Sequence, residues 1–310
     1  MKILLTGGAG YIGSILTQLL LDEGHDVVIV DSFMYSQTSL LHLARHPKLT
    51  IIRGDVRNHD LIGSLLKDAD VIIPLAALVG APLCSRDPES ARGINYEAIR
   101  FVLKNRSASQ RIIFPTTNSG YGVGEEGLFC TEESALRPVS LYGRLKVDIE
   151  KEILDSGNSI TFRLATVFGV SPRPRIDLLV NDFTHRAIRD RFIVLFEPHF
   201  KRNYISVQDA AGAFIHGLKN FDKMRNEPYN VGLSDANISK LELCHEIKKI
   251  VGEFDITVSE IGEDPDKRNY IVSNDKIEAT GFKPKVSLQQ GIEELVKVFR
   301  FLQTGRFSNI

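Results

Sequence analysis

KILLTGGAGYIGSILTQLLLD occupies residues 2–22. Lys2 to Thr6 is a short apolar run with no polar alternation, which reads as a strand buried on both faces. Ile12 to Asp22 carries apolar residues at helical spacing. Between them TGGAGYIG (6–13) spaces glycines at Gly7, Gly10 and Gly13. Gly7 permits a tight turn, Gly10 lets backbone approach a pyrophosphate, and Gly13 allows close packing of helix on strand. The helix then offers its first N–H groups, around Tyr11 and Ile12, to phosphate oxygens. A glycine triplet alone is also compatible with a bare turn, so its context matters.

That context repeats outward. DVVIVD (26–31) reads as a second strand, LTIIRGD (49–55) as a third and DVIIPLAA (70–77) as a fourth. Glu97–Asn105 reads as a helix, RIIFPTT (111–117) as a strand, Tyr142–Leu154 as a helix, and SITFRLATVFG (159–169) as one strand running into a loop. Unalternating strands separated by helices imply a parallel sheet covered on both faces, an α/β Rossmann-type doubly wound fold. The second strand ends in Asp31, near the offset expected for an acid that holds the adenosine ribose diol. An acid there disfavours a 2′-phosphate, so the expected cofactor is NAD rather than NADP. Asp55-Val56, at the third strand's end, reads equally as an adenine contact or a turn. Leu75-Ala76-Ala77, after the fourth, is expected to pass close to the cofactor or simply to pack tightly.

After Gly169 the pattern changes. SPRPR (171–175) carries two prolines and two arginines and reads as a loop, with Arg173 and Arg175 either reaching a phosphate or, the preferred reading, solvated. Shorter elements follow: helices near 178–189, 240–251 and 288–302, a strand at 193–196, and a strand-then-helix at 203–218. The expected division is a dinucleotide-binding domain over 1–169, joined by a return segment near 203–232, and a smaller mixed α/β substrate domain over 170–310.

The bulk composition narrows the function classes. The 310 residues are 43% hydrophobic, enough for a substantial core, and 38 basic against 39 acidic side chains give a net charge of −1. No basic surplus points to nucleic acid. Cys84, Cys130 and Cys244 form no CxxC pair, and the eight histidines show no metal-ligand spacing, so no metal is expected. The N-terminus reads as a strand rather than a signal peptide, and no run spans a bilayer, so a cytoplasmic protein is expected.

The chemistry is expected at Thr117, Tyr142 and Lys146. Tyr142 and Lys146 are four apart on a helix and share a face. Thr117 ends a strand on the side where open α/β sheets collect their sites. A phenol near its ordinary pKa of about 10 is a poor base. A neighbouring ammonium and a cationic nicotinamide favour the phenolate, which then takes a proton from a substrate hydroxyl as hydride leaves.

Taken with TTNSGYG (116–122), YGRLK (142–146), RLATVFG (163–169), RNYISVQDAA (202–211) and DKRNYIVSNDKIEATGFKP (266–284), the chain resembles the extended short-chain dehydrogenase/reductase family of sugar-nucleotide epimerases and dehydratases. The resemblance implies a nucleotide-sugar substrate, with Arg202 and Arg268 on its diphosphate and Asn181 a substrate-side amide. Thr166 stands where relatives often carry Asn. A 4,6-dehydratase places Asp-Glu directly after the catalytic Thr. Here Asn118 and Ser119 follow, and neither is a carboxylic acid. The triad leaves a dehydrogenase and a 4-epimerase open, since both begin with oxidation at C4. PLAALVGAPLC (74–84), CTEES (130–134), RLATVFGVSPRPRIDLLVNDF (163–183) and IGEDPDKRNY (261–270) are similar to the GDP-D-glycero-α-D-manno-heptose 4-dehydrogenases of bacterial capsule heptose pathways, which implies a GDP-sugar. The family likeness also implies a homodimer through a four-helix bundle built from the helices near 97–105 and 142–154. A regulator that binds NAD without turnover is the rival from another class. It is disfavoured because all three triad residues are present.

Overall fold

The computed structural model describes residues 1–259 and 268–302. Seven parallel strands form the main sheet: β1 (Lys2–Thr6), β2 (Asp26–Asp31), β3 (Leu49–Arg53), β4 (Val71–Pro74), β5 (Arg111–Thr117), β6 (Ser159–Leu164) and β7 (Glu227–Val231). Their spatial order is β3-β2-β1-β4-β5-β6-β7. The chain thus starts in the middle, winds to one side, and crosses back over β1 to build the other. This reversal is the topological switch point of a doubly wound sheet, where ligands collect beyond the strands' C-terminal ends.

Strand side chains alternate between faces, and both faces are apolar. Ile3 and Leu5 point to one side, where they join Leu16 and Leu20 of the Tyr11–Asp22 helix and Phe214 of the Val207–Lys219 helix. Leu4 points to the other, with Ile72 and Phe114, against Ile99, Ile149 and Ile153 of the Ala98–Asn105 and Leu141–Asp155 helices. β6 is buried along its whole length because helices cover the sheet on both sides.

The run 159–169 is not one strand. It breaks at Ala165, whose N–H still donates to the Val231 carbonyl at 2.9 Å. Thr166–Phe168 then leaves the main sheet and pairs in parallel with Lys201–Ser206, which pairs antiparallel with Asn237–Ser239. The helices Leu179–Arg189, Lys240–Val251 and Leu288–Phe299 cover this small sheet around a second core containing Phe168, Val180, Tyr204, Leu243 and Ile292. The chain returns to the main sheet through the Val207–Lys219 helix and β7, so Lys201–Ser206, which overlaps the start of the expected return segment, belongs to the smaller sheet.

One detail of the main sheet shapes the site. β4 and β5 pair only through Val71–Arg111 and Ile72–Ile112, whereas β5 pairs with β6 along six residues. Beyond Ile72 and Ile112 lie Pro74 and Pro115, which have no N–H to extend a ladder. The two strands part there, and the notch between their C-terminal ends lies between Leu75-Ala76-Ala77 and Thr116-Thr117. The expected strand 70–77 accordingly stops at Pro74.

Candidate active site

The glycine loop fits a dinucleotide. Gly7 has φ +72°, and a Cβ there would stand 2.6 Å from the Ala76 backbone nitrogen. The loop and the Leu75–Ala77 segment are therefore in backbone contact, fixed by bonds from Leu75 N to Thr6 O at 3.0 Å and from Ala76 N to Thr6 Oγ1 at 3.3 Å. A Cβ on Gly13 would run into the Gly7 carbonyl oxygen. Gly10 is the N-cap of the Tyr11–Asp22 helix and supplies no side-chain cap, so the first-turn N–H groups remain for an anion. Tyr11 is buried and its hydroxyl donates to Gly169 O at 2.7 Å; Ile12 packs partly buried against the core.

Asp31 is buried at the end of β2. Its carboxylate accepts from Phe33 N at 2.8 Å, Ala9 N at 3.0 Å and Gln37 Nε2 at 3.1 Å. Burial pushes its carboxyl above the usual range, and these bonds oppose the shift. Asp55 behaves as a turn aspartate in that its carboxylate grips Arg57, with Nη2 to Oδ2 at 2.6 Å, which holds its pKa below the ordinary value. Val56 lies partly buried beside it.

Thr117 ends the strand that borders the notch, Lys146 bonds to that strand, and Tyr142 lies one turn before Lys146 on the Leu141–Asp155 helix. Thr117 ends β5 in extended backbone; its Oγ1 accepts from Ser119 N at 3.1 Å and donates to Ser119 Oγ at 2.8 Å. Ser119 Oγ also meets the Arg268 guanidinium. Ser140 caps the Leu141–Asp155 helix by accepting from Gly143 N at 3.1 Å, which starts the helix one residue before Tyr142. Lys146, one turn on, donates to Pro115 O at 3.1 Å and sits 4.4 Å from the Phe114 ring centroid. Burial pulls its pKa down to about 7, with Cys84 opposing. Burial pushes the Tyr142 phenol up to about 12, with Cys84 adding to the rise and Arg175 and Arg268 opposing it. Cys84 is fully buried and its own thiol is pushed up to about 11. Both shifts have one cause, a site that penalises charge until a ligand supplies counter-charge.

Asn118 is 1% exposed, and neither its Nδ2 nor its Oδ1 has a hydrogen-bond partner. Two such buried groups cost about 1–3 kcal/mol each. Arg202, buried on the Lys201–Ser206 strand, donates to Lys201 O at 2.8 Å and lies 5.8 Å from the Tyr270 ring centroid, two residues from Arg268. Thr166 is half-buried opposite Tyr204. Asn181 is 1% exposed and its amide is engaged within the protein: Oδ1 accepts from Gly169 N at 2.9 Å, and Nδ2 donates to Arg175 O at 2.7 Å. Ile261–Lys267 of the C-terminal stretch lies outside the described residues.

Two features escaped the sequence reading. Arg173 and Arg175 are not on a solvated loop: they are 4% and 8% exposed, and Arg175 forks onto Asp177. Behind the triad, a buried network joins the elements that carry it. Arg163 on β6 pairs with Glu150 at 2.6 Å, one helical turn beyond Lys146. It also donates to Tyr121 Oη at 3.2 Å and Glu132 O at 3.0 Å. Tyr121 donates to Asn230 Oδ1 at 2.7 Å, and Asn230 N donates to Glu132 Oε1 at 2.7 Å. Arg163 as the one charged residue of the strand run SITFRL was the available signal, because a buried charge demands a partner.

Residues 3–232 match the NAD dependent epimerase/dehydratase family. The low-salt glycan biosynthesis protein Agl12 of Haloferax volcanii is 30% identical over 315 residues, covering 96% of this chain and 98% of the relative. A UDP-glucose 4-epimerase of Lactobacillus helveticus is 26% identical, covering 92% of each. The crystal structure of UDP-glucuronic acid 4-epimerase from Bacillus cereus, in complex with UDP-glucuronic acid and NAD, superposes with a TM-score of 0.84 at 26% identity, covering 97% of this chain and 99% of that one. The chain belongs to the NAD-dependent epimerase/dehydratase family. It is an enzyme of the short-chain dehydrogenase/reductase type, and its cofactor is NAD.

Proposed function

We propose that the chain oxidises the C4 hydroxyl of a nucleotide-linked sugar to a ketone, and that the sugar is GDP-D-glycero-α-D-manno-heptose. The observation that supports this is Lys146 bonded to the Pro115 carbonyl of the strand that ends in Thr117, with Tyr142 one turn before it on the same helix and with Asn118 and Ser119, not carboxylic acids, beside the threonine. Elimination of water needs an acid–base pair that these two cannot supply. NAD, when bound, supplies the acceptor for the hydride. Thr117 holds the substrate oxygen, Tyr142 receives its proton, and Lys146 stabilises the phenolate and orients the nicotinamide ribose. Gly7, Gly10, Gly13, Tyr11, Ile12, Asp31, Asp55, Val56 and Leu75–Ala77 form the cofactor's side of the cleft. Arg202 and Arg268 take the sugar nucleotide's diphosphate, with Asn118, Ser119 and Thr166 toward the sugar; Asn181 acts through the loop it holds. The preference for GDP rests on the sequence likeness in 74–84 and 163–183.

Purified enzyme incubated with GDP-manno-heptose and NAD should yield a product lighter by two hydrogens by mass spectrometry, and Tyr142→Phe should not. Absence of that product with intact enzyme overturns the assignment. A second reading, 4-epimerisation, is favoured by the 4-epimerases among the relatives. It requires an unchanged mass with inverted C4, read by NMR.

We also propose a cytoplasmic homodimer. No helix among the described residues is long and apolar enough to cross a membrane. The Ala98–Asn105 and Leu141–Asp155 helices lie side by side, tied by Arg100 to Glu152 at 3.0 Å, and would pair with a second copy as a four-helix bundle. A monomer by light scattering at micromolar concentration refutes that arrangement.

A further inference from the structure

Beyond β4 the Leu75–Ala77 segment has no strand partner on its β5 side, because the ladder between the two strands stops at Ile72 and Ile112. Its peptide groups need other partners. Thr6 serves Leu75 N and Ala76 N at the end nearest the glycine loop. At the far end one side chain serves both peptide groups of Leu78. Asn95 Oδ1 accepts from Leu78 N at 2.9 Å, and Asn95 Nδ2 donates to Leu78 O at 2.8 Å. A carboxamide offers the same donor and acceptor as a peptide group, so Asn95 stands in for the missing strand neighbour. The Cys84 thiol adds a weaker bond to Leu78 O at 3.2 Å.

Asn95 reaches Leu78 from an irregular helix. Pro88–Arg92 and Ala98–Asn105 are α-helical, and Gly93–Glu97 between them widens into a π-helical turn. Such turns are rare and frequently mark functional sites. Asn95 is also fully buried, and a buried amide is costly unless it is bonded. An uncommon turn and a buried amide thus coincide at the residue that holds Leu78. The held segment has two different ends. Ala76 lies against Gly7 of the glycine loop. Leu78 packs in a cluster with Cys84, Ala91 and Leu145, and Tyr142 packs against that cluster. The segment therefore runs from the glycine loop to the catalytic tyrosine, and Asn95 pins it at the tyrosine end.

We propose that Asn95 is a positioning residue for hydride transfer: by fixing Leu78 it sets the gap between the Leu75–Leu78 wall and Tyr142 into which the nicotinamide fits. It acts through Leu78. The inference rests on Leu75–Ala77 walling the cofactor and not on which sugar is oxidised.

Equilibrium binding to the cofactor-stripped enzyme tests this without turnover. NADH carries the nicotinamide and ADP-ribose lacks it, so the difference between them reads the pinned end alone. Asn95→Leu keeps the approximate size of the side chain and removes both bonds. Asn95→Asp keeps the acceptor for Leu78 N and removes the donor. Urea unfolding of the empty variants shows which are folded, and either one suffices for the comparison. Loss of a preorganised wall predicts a fall in NADH affinity of about tenfold, with ADP-ribose within about twofold of wild type. Equal losses for the two ligands overturn the proposal by making Asn95 a general packing element. Unchanged NADH binding in a folded variant overturns it as well, and so does failure of both variants to fold, which would assign Asn95 to the fold rather than the site. Ala77→Leu tests the underlying reading separately. Unchanged binding of both ligands there removes the wall and the proposal with it, whereas a loss there beside none in Asn95→Leu refutes only the part given to Asn95.

Discussion

Replacing Lys146 by Met should change how the empty enzyme's stability depends on pH. The Lys146 amine is buried and its pKa is about 7, whereas an unfolded lysine titrates near 10.4. The folded value lies below the unfolded one, so between about pH 7 and pH 10 the unfolded chain binds more protons and stability rises with pH. Below about pH 7 the full cost of burying the ammonium is present. From about pH 6 to pH 9 the expected gain from this one group is about 2–3 kcal/mol, at 1.36 kcal/mol per pKa unit. Methionine puts a thioether and methyl in the place of the amine beside Phe114 and removes the titrating proton. It also removes the bond to Pro115 O, a pH-independent offset of about 1 kcal/mol. Urea unfolding of cofactor-stripped wild type and Lys146→Met across this range should show their difference shrinking by about 2–3 kcal/mol in favour of wild type as pH rises. Parallel curves would refute the reasoning, because they would mean that the amine is equally hydrated in both states.

Arg163→Met leaves Glu150 buried without its partner and should cost about 3–5 kcal/mol in denaturant unfolding, while Arg163→Met/Glu150→Leu should recover most of it. Gly13→Ala drives a Cβ into the Gly7 carbonyl and should weaken NADH binding more than about tenfold by fluorescence titration, a loss of about 1.4 kcal/mol or more. Asn118→Leu removes two buried unpartnered groups and should stabilise the empty enzyme by about 1–3 kcal/mol while lowering turnover. A lower Tm would show that solvent satisfies the amide.

Much of the main sheet was legible because its signals are local. The 2–22 stretch carries strand, turn and helix in one window, and Asp31 follows at the expected offset. What was not legible depended on distant partners. SITFRLATVFG has one strand-like character throughout, yet Leu164 and Thr166 serve different sheets because β7 stops pairing at Val231 while Tyr204 waits beyond. SPRPR reads as solvated because Tyr35, which meets the Arg173 guanidinium, and the Tyr11 carbonyl, which accepts from Ser171, are brought to it only by folding. Asn181 carries a residue type suited to a sugar, and only the fold shows its amide committed to Gly169 and Arg175. Arg163 is the converse case: its charge within a buried strand announced a network, though not its members.

The parted ends of β4 and β5 amount to an internal edge in the sheet. Unpaired strand ends inside a fold invite re-zipping, and an empty cleft could close simply by extending its own ladder. Pro74 and Pro115 withhold donors on both banks, so the opening persists through backbone chemistry without bulky side chains to prop it. The Pro115 carbonyl is meanwhile taken by Lys146, the amine assigned above to the phenolate. The same residue that keeps the sheet unzipped therefore also fixes where the amine stands.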